Sequence, residues 1–361
     1  MSYKVKITCL QFSVLVVCLL FWRASFSQSH PTNNTPTDPR FDAVDQLLKQ
    51  NQKLLGNNYV ALVWKDGKIV YQHEGSPNFT PKMPVPIGEA ANWMTAALVM
   101  TFVDEGKLSL DDKVTQYIPL FGKYSKSYIT IRNCLTNTTG IRGEAGSVTK
   151  ISQKSKYQTL EEEVNSYASK RDIVTNPGTE IFYSNVGINI AARVLEIISK
   201  KSFDRLMQDR IIHPCKMKGT SFSNDEGGAT NPAGGARSTA NDYISFLSML
   251  LNKGMAGDKQ VLSAKAVEEL ESVQFADLPI KSAPKQLQGG HLTMGAYITD
   301  NDASGAPVVL ICPNMLGTTP LIDKCRNYAA ILIVQKPEEE KKPGFYKSMK
   351  GLIDQGIGEC K

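Results

Sequence analysis

The chain has 361 residues, of which 42% are hydrophobic and 21% are charged, so it can bury a large core in one or two domains without help from a metal ion. Its formal net charge is +6 at pH 7, and Lys4, Lys6 and Arg23 supply three of the positive charges. Without these three, +6 falls to +3, which is too even a balance to indicate a nucleic-acid partner.

Residues 1–27 have the pattern of a secretory signal peptide. Two lysines precede the apolar run "ITCLQFSVLVVCLLFW", and the small residues Ser25 and Ser27 stand before an expected cleavage at Gln28. A retained membrane anchor is the second interpretation, although the run is shorter than the ~20 residues that a spanning helix needs. A lipid anchor on Cys18 is a third interpretation, with weaker support. We expect an exported protein, periplasmic or secreted, with no transmembrane segment in the mature chain.

Five cysteines remain after residue 27, and none has the spacing of a metal site: Cys134, Cys215, Cys312, Cys325 and Cys360. In an oxidising compartment, Cys325 and Cys360 are the pair that we expect to form a disulfide and hold the C-terminal segment to the body of the protein. Cys134 and Cys215 lie among apolar neighbours, so free buried thiols are an equal interpretation for them. We expect neither a metal nor a cofactor.

The folded part is predicted to begin after a polar, proline-bearing linker at 28–40. The segment "FDAVDQLLKQNQKLL" has apolar residues at helical spacing. The segment "NYVALVWKDGKIVYQHE" then gives two β-rich runs around Asp66-Gly67, which predicts a hairpin. A helix followed by a hairpin is typical of the start of a layered domain that contains both helices and strands.

A long buried helix is predicted next, from Glu89 to Glu105, because this stretch has no breaker and carries apolar residues on nearly every face. Gly106 follows as a C-cap. More helical patterns come at Leu160 to Lys170, Val186 to Lys200 and Phe203 to Ile212, and in "NDYISFLSMLLNKG" and "AKAVEELESV".

Strand patterns return late, in "LTMGAYIT", "APVVLIC" and "YAAILIVQK". A charged connector and a final helix from about Phe345 complete the chain at 337–361. The order of strands, helices and strands predicts an α/β (α+β) fold in which both chain ends complete one sheet. A helical subdomain, at about 107–255, is inserted within a domain of residues 41–336.

Five segments carry a resemblance to a known family: "WMTAALVMTFVDEGKLSLDDKVTQYIP", "YITIRNCLTNTTGI", "NPGTEIFYSNVGINIAARVLEII", "GGARSTANDYISFLSMLLNKG" and "LGTTPLIDKCRNYAAILIV". Their order and spacing resemble the serine β-lactamase and penicillin-binding-protein-like hydrolases, on the branch with class C β-lactamases and D-alanyl-D-alanine carboxypeptidases. The resemblance covers 41–336. It implies a β-lactamase/transpeptidase-like fold, with an antiparallel sheet flanked by helices.

The resemblance also implies a Ser-x-x-Lys motif at the start of the buried helix. In relatives the serine attacks an acyl carbon, and the lysine reaches the serine oxygen because residues i and i+3 share a helix face. Here the tetrad reads Glu89-Ala90-Ala91-Asn92. Both reacting groups are therefore absent at the matching positions.

Of the two other family motifs, one is kept and one is altered. Tyr-x-Asn is kept as Tyr183-Ser184-Asn185, which implies that Tyr183 and Asn185 line the cleft; the alternative is that they only bridge the helical subdomain to the buried helix. The third motif, usually His or Lys, then Ser or Thr, then Gly, reads Cys312-Pro313-Asn314. In this resemblance Asn314 puts a side chain where substrate would lie.

Other candidate nucleophiles and bases lack support in the sequence. Asn133 and Asn137 stand where relatives often carry histidine, and the Ser-x-x-Lys matches at Ser147 and Ser282 are expected by chance and open no buried helix. None of the histidines has a partner that the sequence identifies: His30, His73, His213 and His291.

We therefore expect a catalytically inactive pseudoenzyme that binds a cell-wall fragment, another small ligand or a protein partner through the former cleft. The alternative is a hydrolase of esterase, peptidase or amidase type in which Glu89 is the general acid or base beside Tyr183. A purely structural envelope protein is a third interpretation.

Overall fold

The computed structural model describes residues 38–143, 155–223, 227–275, 277–283, 291–312, 317–335 and 343–360. The predicted leader, most of the linker, Ser147, Pro313 and Asn314 lie outside these ranges. Within them, no helix is long and apolar enough to cross a membrane. The boundaries of the leader, the linker and the helical subdomain stay predictions.

A seven-stranded antiparallel sheet forms the centre of the described part of the chain, in the order β2-β1-β13-β12-β11-β10-β9. The hairpin at Asp66-Gly67 and the late strands thus share one sheet, which confirms the prediction that both chain ends build it. The strands are β1 Tyr59–Lys65, β2 Lys68–Glu74, β3 Val85–Pro86, β4 Ile181–Phe182, β5 Arg237–Ser238, β6 Met255–Ala256, β7 Lys259–Gln260, β8 Ile280–Ser282, β9 His291–Leu292, β10 Tyr297–Asn301, β11 Pro307–Ile311, β12 Thr319–Asp323 and β13 Tyr328–Val334.

Helices lie on both faces of this sheet, and the middle of the chain is mainly helical, as expected. The helices are α1 Asp42–Gln50, α2 Gln52–Leu55, α3 Ala91–Asp104, α4 Leu120–Lys123, α5 Ile131–Leu135, α6 Leu160–Lys170, α7 Val186–Ser199, α8 Phe203–Met207, α9 Ala240–Leu251, α10 Ala264–Glu271 and α11 Pro343–Ile357. A π-helical turn, Gln208–Ile212, continues α8.

The alternation of side chains along β1 separates two hydrophobic cores. Val60 and Leu62 point into a large core that contains α3 and α9, whereas Ala61 and Val63 belong to a smaller core with α1 and α11. Because both faces are covered, the strand is apolar along almost its whole length rather than alternating in polarity.

One strand prediction was wrong, and one strand was missed. The segment "LTMGAYIT" is not one strand, because β9 ends at Leu292 and a turn that contains Gly295, with φ +84°, precedes β10. β12 was not predicted at all, although it lies between β11 and β13. Its Pro320 has no N–H for the ladder, which is unusual for a strand inside a sheet.

The C-terminal helix α11 is held by a disulfide and by buried charges. Cys325 is bonded to Cys360, with their Cα atoms 5.1 Å apart, and this confirms the predicted pair. On the helix, the Lys350 ammonium lies 3.0 Å from Asp323 and 2.7 Å from Asp354. Among the described cysteines, those left free are all buried: Cys134, Cys215 and Cys312.

Candidate functional site

Glu89 lies in a 3-10 turn, Gly88–Ala90, immediately before the buried helix α3. The helix therefore begins two residues later than predicted. Strand β3 leads into this turn and pairs with β5, and the Tyr243 hydroxyl donates to the Ala90 carbonyl oxygen at 2.7 Å. These contacts fix the entry to the helix, and Glu89 is only 3% exposed.

Asn92 lies three residues further on and contacts Tyr183. Its Nδ2 donates to the Tyr183 hydroxyl oxygen at 3.2 Å, and both residues are buried. A backbone hydrogen bond holds Tyr183 in place, since its N–H donates to the Ser282 carbonyl oxygen at 2.8 Å. The structure thus brings together two positions that the resemblance placed in one cleft. Their function as a site stays a prediction.

The third motif also begins beside the start of α3. Cys312 directly follows β11, and its thiol donates to the carbonyl oxygens of Glu89, at 3.4 Å, and of Gly295, at 3.2 Å. Gly295 must be a glycine here, because a Cβ would lie 2.7 Å from the Asn92 carbonyl oxygen and 2.9 Å from the Trp93 Cα. The turn before β10 is therefore pressed against the first turn of α3.

Asn185 and the two asparagines at histidine positions differ in their local contacts. Asn185 is the N-cap residue of α7 but makes no side-chain cap hydrogen bond, and it is partly exposed. Asn133 completes the capping box of α5 with Thr130. Asn137 has a left-handed backbone, with φ +57°, and its Oδ1 accepts from the Ser184 N–H at 3.1 Å.

A small cavity lies where these segments meet. Between its described walls it is too narrow for a water molecule. The ring centroids of Tyr183 and Tyr297 are 6.2 Å apart, and the ring planes are tilted by 43°. The described residues that line it include no charged side chain; they are Asn92, Asn137, Tyr183, Ile188, Leu292, Gly295, Ala296 and Tyr297. Asn185 and Glu89 are not among them.

Burial dominates the electrostatics of this group. It raises the pKa of Tyr183 and of Tyr297 well above the ordinary value, and the negative charge of Glu89 adds to both shifts. Burial also raises the pKa of the Cys312 thiol, again with a contribution from Glu89. The phenols and the thiol therefore stay protonated near pH 7, so none of them is a base or an anionic nucleophile there.

Sequence reasoning missed Tyr297 because an aromatic residue in a strand pattern is usually a core residue. It also missed a partner for His73, whose Nδ1 lies 2.7 Å from the Asp45 carboxylate. That pair belongs to the smaller core, because Asp45 also accepts from the Tyr71 hydroxyl at 2.6 Å. It lies on the opposite face of the sheet from α3. Within the described ranges, no group of three or more His, Cys, Asp and Glu side chains could hold a metal ion.

A second buried carboxylate, Glu271 at the end of α10, gives a test of stability against pH. Burial raises its pKa to about 7 from 4.5, despite the Lys324 ammonium at 3.1 Å. The folded state therefore binds more protons than the unfolded chain between these two values, and stability falls as the pH rises through this range. Above pH 7 the cost reaches roughly 3 kcal/mol.

We expect Glu271→Gln to raise the free energy of unfolding by roughly 3 kcal/mol at pH 8 and to leave it almost unchanged at pH 4.5. Urea unfolding at the two pH values measures the difference. Glu268→Gln, on the exposed side of the same helix, is the matched control and should show no such dependence. An equal gain at both pH values for Glu271→Gln would contradict the explanation.

Comparisons with known proteins give a matching family model and similar folds. A family model described as Beta-lactamase matches residues 44–343. The chain is 26% identical over 199 residues to the D-alanyl-D-alanine-carboxypeptidase/endopeptidase AmpH of Escherichia coli (strain K12), a match that covers 52% of this chain and 51% of AmpH. The curated relative is therefore matched over about half of its length.

Two solved structures have a similar fold. A putative β-lactamase from Bacteroides dorei DSM 17855 has a TM-score of 0.75 and 26% identity, covering 89% of this chain and 99% of that one. The octameric penicillin-binding protein homologue from Pyrococcus abyssi has a TM-score of 0.69 at 20% identity, over 88% of this chain and 79% of that one.

Proposed function

The chain belongs to the β-lactamase family. We propose that it is a non-acylating member that binds a ligand or a protein partner through the former active-site cleft. The observation that carries the proposal is the pairing at the start of α3. A buried carboxylate, Glu89, stands at the nucleophile position, and an amide, Asn92, stands at the position of the basic lysine.

Neither replacement supports acyl transfer. A carboxylate that attacked an amide would form an anhydride, which is more reactive than the bond it replaced. The Asn92 amide cannot accept a proton near pH 7, and its Nδ2 already donates to the Tyr183 hydroxyl. Loss of one reacting group in such sites typically costs several orders of magnitude in rate, and here both are replaced.

The alternative, a hydrolase with altered chemistry, requires a base beside a bound water. The described cavity wall offers amides, phenols and apolar groups, and Glu89 is not part of it. Tyr183 stays protonated because burial raises its pKa. The geometry therefore favours binding over hydrolysis of an ester, peptide or amide by direct water attack.

We place the protein outside the cytoplasm, periplasmic or secreted. The Cys325–Cys360 disulfide supports an oxidising compartment, and the leader pattern of residues 1–27 supports export. The match to AmpH, named a D-alanyl-D-alanine-carboxypeptidase/endopeptidase, supports a ligand related to the cell wall. Because the described cavity is too narrow for a water molecule, entry of any ligand requires its walls to move apart.

Turnover measurements distinguish the proposal from its alternative. We expect the wild type to hydrolyse neither a chromogenic cephalosporin nor p-nitrophenyl esters above the buffer rate, because the start of α3 offers neither a serine nucleophile nor the lysine that would activate one. Glu89→Gln should give the same result. A wild-type rate that Glu89→Gln removes would establish the hydrolase instead, and an active serine β-lactamase is the positive control for the assay.

A further inference from the structure

The cavity beside Asn92 contains buried polar atoms that have no partner among the residues that the structure describes. Asn92 is 2% exposed, and its Nδ2 is used by Tyr183 whereas its Oδ1 has no hydrogen-bond partner. The Tyr297 hydroxyl, in the same wall, has none either. A buried polar atom without a partner is costly, typically by about 1–3 kcal/mol, so Asn92 Oδ1 is suited to a guest that donates a hydrogen bond, and the Tyr297 hydroxyl can either accept or donate one.

The charge near the cavity favours a guest that is positively charged. The lysine that relatives place one turn into the helix is Asn92 here, and the described lining residues carry no positive charge. Glu89 is the described carboxylate whose negative charge opposes ionisation of both tyrosines. A carboxylate guest is repelled in such a field, whereas a cation is attracted.

The two aromatic rings add a surface for a cation. Tyr183 and Tyr297 lie with their ring centroids 6.2 Å apart and tilted by 43°, and both side chains are buried. An ammonium group within about 6 Å of a tyrosine ring is attracted by the ring face, more strongly where water is excluded. An acceptor oxygen, two phenols and a negative field together are complementary to an organic ammonium group.

We propose that the remodelled cleft binds a small primary ammonium compound, with the ammonium donating to Asn92 Oδ1 beside the rings of Tyr183 and Tyr297 once the cavity wall opens to admit it. This rests on the proposed function, because it assigns a ligand class to the same cleft. It also reverses the charge preference that an enzyme with a basic residue at position 92 would have.

Two probes with the same alanyl skeleton and opposite charge test the proposal. D-Alaninamide carries an ammonium and no carboxylate, whereas N-acetyl-D-alanine carries a carboxylate and no ammonium. We expect calorimetric titration of the full mature chain at pH 6.5 and constant ionic strength to show D-alaninamide binding at least tenfold more tightly. Equal or tighter binding of N-acetyl-D-alanine, or no binding of either probe, would overturn the proposal.

Variants at Asn92 locate the contact. Asn92→Leu removes the acceptor at similar volume and should weaken D-alaninamide binding at least tenfold, whereas Asn92→Asp keeps an acceptor, adds negative charge and should not weaken it. Far-ultraviolet circular dichroism establishes that both variants are folded. Unchanged affinity in Asn92→Leu would place the probe elsewhere and contradict the assignment. An acyl adduct on the wild type would instead defeat the proposed function, so the two failures are distinguishable.

Discussion

Gly295→Ala should lower the free energy of unfolding by roughly 2–5 kcal/mol, since it combines backbone strain with overpacking. Its φ of +84° is unfavourable for alanine, and the new Cβ would lie 2.7 Å from the Asn92 carbonyl oxygen and 2.9 Å from the Trp93 Cα. Those atoms belong to the rigid first turn of α3. The turn or the helix must therefore move, and the melting temperature should fall by roughly 3–8 °C.

Gly305→Ala is the matched control for this variant. Gly305 has almost the same φ, +85°, but a Cβ there would meet no atom within 4 Å. It should therefore show only the backbone cost, about 1 kcal/mol. Thermal unfolding of both variants separates the two terms. Equal losses in the two variants would mean that the turn before β10 is not tightly packed against α3, and the described cavity would then lose one of its walls.

Removal of the disulfide by Cys325→Ser with Cys360→Ser should lower the free energy of unfolding by about 4 kcal/mol, the value that chain entropy gives for a closed loop of this length. The cysteines are 35 residues apart. Without the bond, α11 keeps its apolar contacts with the smaller core through Phe345, Met349 and Ile353. We therefore expect a folded but less stable protein, which urea unfolding measures.

A reducing agent supplies the control for the disulfide. Dithiothreitol should lower the wild-type midpoint to that of the double serine variant and should leave the variant itself unchanged, because the remaining described cysteines are free and buried. If the reductant destabilised the double variant as well, another disulfide would have to exist. If it changed neither protein, Cys325 and Cys360 would not be paired in solution.

Local sequence signals predicted those elements whose ends carry their own signals. The hairpin followed from Asp66-Gly67, and both residues have the positive φ values, +49° and +85°, that such a turn requires. Helix α6 was predicted with its observed limits, Leu160 and Lys170, and Thr159 caps it through the Glu162 N–H.

Elements that depend on tertiary context were not predictable in this way. β12 contains Pro320, which argues against a strand inside a sheet, and only the neighbouring strands β11 and β13 hold it there. The turn at Gly295 interrupts a mostly apolar run, 292–299, that also fits a strand pattern. Its cause is the close approach of α3, which no local pattern contains.

The candidate site was likewise predictable only in part. The resemblance placed Glu89, Asn92 and Tyr183 in one cleft, and the structure gives the hydrogen bond between Asn92 and Tyr183. Tyr297 could not be assigned to the cleft from the sequence, because its role depends on the facing ring of Tyr183. Asn314 lies outside the described residues, and its place near the cleft stays a prediction.

An intact-mass spectrum of the wild-type protein after prolonged incubation with benzylpenicillin and, separately, with a fluorophosphonate tests the absence of acyl transfer most directly. We expect an unchanged mass in both spectra, because Glu89 and Asn92 stand where a serine and a lysine would have to act. An added mass equal to the acyl or phosphonyl group, mapped to any residue of the chain, would contradict it.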